Sequence, residues 1–96
     1  MARFLVHDTF PMKDFPLQGQ TMFVLAGFVL EGEVKPGMKL HLRFNSTVNL
    51  YAEVDRIEFA RRPDGEVTCL CIKCTVADEV VLWESIHVKG QTIEVK

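Results

Sequence analysis

Three cysteines, three histidines and a short run of arginines are the residues of this 96-residue chain whose types could do chemistry. Cys69-x-Cys71-x-x-Cys74 is the densest of these clusters. Thiolates at close spacing, joined by a histidine, can hold Zn²⁺. On an extended strand, however, alternate residues face opposite sides, so Cys69 and Cys71 share a face that Cys74 does not. No second cysteine pair completes a four-ligand set. The expectation is therefore packed or half-buried thiols and no metal site. Cys69 and Cys71 are the thiols to test for oxidation, although no adjacent residue lowers their pKa. His7, His41 and His87 lie far apart, and no nucleophile and base are arranged as a triad requires. No catalytic residue and no cofactor-binding residue is expected.

Arg56, Arg61 and Arg62, with Lys73, form the one basic concentration. They could contact a phosphate backbone, with Phe59 or Tyr51 as a stacking surface. Glu58, Asp64 and Glu66 are interleaved with them, which favours a solvated hairpin end. Trp83, within Val80-Val81-Leu82-Trp83, is either a plug closing one end of a core or an interface anchor. Phe28, if exposed together with Phe23, would form an apolar patch suited to a partner. Arg56, Arg61, Arg62, Phe28 and Trp83 thus make up the candidate interaction surface.

The elements that must position these residues are strands. Met38 to Phe44 alternates apolar and polar residues, and Thr47 to Phe59 does the same with a change of phase. That change predicts a β-bulge near Asp55-Arg56, where the chain turns a barrel corner. Thr21 to Leu30 is apolar on both parities, as in a strand buried on both sides, with Gly27 admitting a close neighbour. Glu66 to Val76 reads as a further strand, with Leu70, Ile72, Cys74 and Val76 on one face. Two short alternating runs end the chain, around Ile86 and Val88 and around Ile93 and Val95. Lys35-Pro36-Gly37 and Pro63-Asp64-Gly65 mark tight turns, and Gly32 and Gly90 further reversals. Lys13 to Gln20 is the longest predicted loop, and Ala77 to Ser85 has room for one helical turn with Asp78 and Glu79 at its start.

Six or seven short strands in a chain of this length predict one all-β domain over residues 1–96, a small closed barrel, since closure removes exposed edges. The formal net charge of −2 counts against non-specific binding to nucleic acid. No apolar run approaches the roughly 18 residues of a membrane helix, and the N-terminus lacks the apolar core of a secretory signal. An odd number of cysteines without a secretory context leads us to expect free thiols in the cytoplasm.

Residues 23–40, FVLAGFVLEGEVKPGMKL, resemble part of the second domain of the translational GTPases, the family of elongation factor Tu. In that family a long strand ends in a Gly, a large residue and Val. A Gly turn, a short strand, a Lys-x-Gly turn and an alternating strand follow in that order. Phe4 to Phe10 is similar to the family's first strand, and Ala52 to Glu58 to the strand after its central hairpins. The likeness covers about residues 3–95 and is distinctive over residues 23–43. It implies a Greek-key-like barrel. Two departures touch surfaces the parent factors use. Position 28 is Phe where they carry Arg, and Lys13 to Gln20 lacks their run of small residues.

The phosphate loop Gly-x-x-x-x-Gly-Lys-Ser/Thr occurs nowhere, and no GTPase domain fits in the chain. The start at Met1 and the terminal strand lead us to expect a free-standing barrel. Its expected role is that of a non-enzymatic binding module that recognises a protein partner or self-associates, away from membranes. The alternative implied by the resemblance is an RNA-, tRNA- or ribosome-binding accessory factor in translation. A shared fold is by itself a weak warrant for that role.

Overall fold

The structure, a computed structural model, describes residues 1–14, 17–43, 49–63, 65–74, 83 and 88–96, with the backbone alone at 42, 43, 49, 50 and 62. It is all-β. The strands are β1 (Ala2–Lys13), β2 (Thr21–Glu31), β3 (Lys39–Arg43), β4 (Asn49–Glu53), β5 (Arg56–Arg62), β6 (Gly65–Cys74) and β7 (Thr92–Val95). They form one sheet in the order β4-β3-β7-β1-β2-β6-β5, and each neighbouring pair is antiparallel.

The outermost strands of this order, β4 and β5, are consecutive in the chain and separated only by Val54 and Asp55. On one side of this junction the Val54 amide donates to the Met38 carbonyl (2.8 Å) and the Gly37 amide to the Val54 carbonyl (2.8 Å). On the other side the Asp55 amide donates to the Cys71 carbonyl at 2.9 Å, while Arg56 also stands opposite Cys71. Two residues facing one is a bulge, and it falls where the hydrophobic phase changes. The run from Asn49 to Arg62 thus pairs with β3 through its first half and with β6 through its second.

β1 carries two further register shifts against β2, the first between Arg3 and Phe4. The second falls between Val6 and Asp8, leaving His7 as the extra residue. The expected strand from Phe4 to Phe10 in fact runs on to Lys13 and includes Pro11. Proline is tolerated there because β7 pairs with Ala2 to Leu5, and among the described residues no second strand lies against the far half of β1 to receive an amide. The β1–β2 connection is correspondingly shorter than the predicted loop. It is fastened by Asp14, whose carboxylate accepts the Gly19 amide at 2.9 Å.

Glycines supply the expected turn geometry at 19, 32, 37, 65 and 90, all with positive φ. Gly27 has a different task. A Cβ there would fall on the Leu5 carbonyl oxygen, so β1 and β2 can approach at the bulge only because position 27 lacks a side chain.

The main core gathers Ala2, Phe4, Val6, Phe23, Leu25, Leu40, Val54, Leu70, Ile72, Cys74, Trp83, Val88, Ile93 and Val95. Trp83 stacks on Phe23, with ring centroids 5.9 Å apart. Met22, Val24, Ala26, Val67, Cys69 and Cys71 form a second cluster, partly covered by Phe10 and Met12. β2 therefore buries both parities because it has an apolar layer on each side. The predicted helical turn at 77–85, and Phe44, Val76, Ile86 and His87, lie outside the described residues, Trp83 excepted. Among the described residues no helix is long and apolar enough to cross a membrane.

Candidate functional site

The second cluster is where the surface opens. Val24 of β2 stands opposite Cys71 of β6, and Ala26 opposite Cys69. Glu58 and Ala60 of β5 face Cys69 and Val67 on the same side of the sheet. Phe10 and Met12, placed on this face by the His7 bulge, stand opposite Val24 and Met22. Phe10, Met12, Val24, Phe59, Ala60, Cys69 and Cys71 line a groove of about 370 Å³, with Glu58 as its one acidic residue. A space of that size with an apolar lining is large enough for a bulky side chain or a small apolar molecule.

Burial sets the chemistry of the groove's two thiols. Cys69 and Cys71 are free and buried. Burial, followed by the neighbouring Cys69 and then Glu58, pushes the Cys71 thiol up to about 11, away from the thiolate a nucleophile or metal ligand needs. Cys74 packs in the main core, so the strand's alternation divides the three thiols between two faces. The expectation that Cys69 and Cys71 share a face is matched. Both are packed, as expected, and Phe10 and Met12 cover them, which limits their access to oxidants.

Arg56 and Arg61 are not brought together. Arg56 shares its face with Cys71 and forms an ion pair with Glu58 at 2.7 Å. Arg61 is exposed and faces Glu66, five positions along the strand and on the opposite side of the ribbon from Arg56. Arg62 stands opposite Gly65 at the hairpin end. Of the two proposed stacking residues, Phe59 is 66% exposed beside the groove. Tyr51 lies on β4, stacked on His41 at 4.7 Å.

Phe28 is exposed with Val29 and Leu30 at the far end of β2, and its ring meets His7 edge-on at 6.1 Å. Phe23 does not join it, being buried in the core. Trp83 is buried as well and presents no accessible face to a partner. Phe10 and Met12 escaped the sequence reading as site residues. They have the same parity as Phe4 and Val6, and only the bulge turns them to the other face.

No protein-family model, no curated protein and no solved structure matches the chain.

Proposed function

We propose that this chain is a non-enzymatic protein-interaction module built on a small, closed, Greek-key-like barrel of the kind found as the second domain of translational GTPases. The observation that carries the binding role is the open apolar groove flanked by exposed Phe59. A solvent-facing aromatic beside an apolar trough is the composition of an interface centre, where aromatic anchors dominate binding energy. The proposed closure is supported by the Val54-Asp55 junction. It hydrogen-bonds to Met38 and Gly37 beside β3 and to Cys71 of β6, joining the two ends of the sheet order through the chain itself. The free thiols suit a reducing cytoplasm. The interleaving of Glu58 with Arg56, and of Glu66 with Arg61, favours protein over nucleic acid as the ligand.

The test is affinity capture from source lysate on the tagged chain, at low and moderate salt, with protein and RNA both identified. A stoichiometric protein retained at moderate salt and lost on Phe59→Ser or Met12→Ser is the expected result. Recovery of RNA that disappears as salt rises, with no protein bound through the groove, would replace this reading with the translational accessory role.

A further inference from the structure

We propose that β5 is a self-pairing edge, joining β5 of a second copy of this chain in an antiparallel ladder centred on Ala60. This deepens the protein-interaction reading, on which it rests, by naming the partner.

The proposed closure through Val54-Asp55 engages only the start of β5; beyond it β5 ends the sheet order, and among the described residues its single strand partner is β6. Phe59, Ala60 and Arg61 are all exposed, so among the described residues neither face of this part of β5 is covered. Arg62 and Gly65 flank the two-residue hairpin turn and so exchange hydrogen bonds. Bonded pairs alternate along an antiparallel ladder. Counting back from Arg62, the backbone groups of Ala60, Glu58 and Arg56 turn towards β6, and those of Phe59 and Ile57 turn away with those of Arg61. Among the described residues no strand meets these outward groups, and such an edge is a template for another strand.

Packing and charge together select the register. A two-fold pairing must centre on one residue. Centring on Ile57, which packs on the main core, would bring the fully buried Val54, already bonded to Gly37 and Met38, opposite Ala60. Centring on Glu58 sets two carboxylates face to face, and centring on Arg61 sets two guanidinium groups together. Centring on Phe59 places Arg56 against Arg62. Directly opposed like charges destabilise a sheet. Centring on Ala60 removes all three conflicts. It puts Arg62 at the position facing Glu58 of the second copy, and Arg61 facing Phe59, where a guanidinium can lie on the aromatic ring. Phe59 and Arg61, whose backbone groups point outwards, then exchange the intermolecular bonds. The residue on the axis, Ala60, is the smallest of β5, and it lines the groove. The grooves of the two copies consequently meet across Ala60 in one continuous apolar trough.

In this register the two Ala60 residues form a non-hydrogen-bonded pair with Cα atoms about 4.5 Å apart, which lies within disulfide reach. Ala60→Cys is therefore expected to give a disulfide-linked dimer under mild oxidation. The wild-type chain, whose three cysteines are buried, gives none. Sedimentation of the full chain should show Glu58→Arg and Arg62→Glu each weakening association roughly tenfold, and the double exchange restoring it.

Two results overturn the proposal: a wild-type chain still monomeric at about 1 mM, or an Ala60→Cys variant that cross-links no faster than a cysteine placed at Glu53. If either occurs while lysate capture still recovers a different protein through the groove, self-pairing falls and the interaction module stands. If capture also recovers nothing, both fall.

Discussion

The two apolar clusters lie on opposite faces of the same two strands and are finished differently. On one face of β2 and β6, Phe23, Leu25, Leu70 and Ile72 are sealed by β1, β7, β3 and Trp83. On the other, Val24, Ala26, Cys69 and Cys71 are roofed, among the described residues, by Phe10 and Met12 alone, and this roof stops short of β5. Both faces are apolar, the first with larger side chains than the second. They differ in how many elements the topology brings over each. A face covered from every side contributes stability alone. A face with a missing neighbour retains apolar area that a partner can bury.

The comparison is broken most severely by truncating adjacent residues that point to the two faces. Phe23→Ala removes the ring that stacks on Trp83 and leaves a cavity that nothing can fill, costing about 3–5 kcal/mol. Val24→Ala, one residue on, should cost only about 1–2 kcal/mol, because the open groove relaxes around the loss. Urea denaturation of both variants checks this. Equal losses would mean that the outer face is as tightly packed as the inner one. Gly27→Ala tests what holds the two faces in their phase. The added methyl meets the Leu5 backbone, which cannot rotate away, so the β1 bulge must shift at a cost of about 2–3 kcal/mol. If the variant retains wild-type stability, the close approach of β1 and β2 is not a constraint.

The inner face was legible in the sequence and the outer groove was not. The alternation around Met38 to Arg43 located β3, and the doubly apolar run at Thr21 to Leu30 located a strand covered on both sides. The phase change at Asp55-Arg56 located the bulge. Each of these is a local pattern that the backbone repeats directly. The groove depends on two facts with no local signature. Phe4, Val6, Phe10 and Met12 share one parity, and periodicity assigns them to one face. The extra residue at His7 sends the last two to the other face, and nothing about His7 in sequence announces it. Phe59 and Ala60 reach the same groove through the sheet order, which sets β5 beyond β6 on the same twisted surface as the far end of β1. Arg56 and Arg61 failed to form a patch for a related reason. An odd spacing along a strand sends the two charges to opposite faces.

The smallest expected effect sharpens the comparison from the side of ionisation. Cys71 sits under the partial roof of the outer face, and burial raises its thiol from 9.0 to about 11. In the unfolded chain the same thiol ionises near its ordinary value. Below that value the thiol is neutral in both states, and its full contribution to stability is present. As pH rises from about 9 towards 11 the unfolded chain gives up the proton while the folded chain keeps it, so stability falls. The loss is bounded at roughly 1–2.5 kcal/mol for a shift of this size. Comparing wild type with Cys71→Ala isolates this contribution from other groups that titrate in the same range. The alanine variant should show the shallower decline of stability above pH 9. Parallel declines would mean that water reaches Cys71 through the groove, and that Phe10 and Met12 cover the outer face less completely than their packing implies.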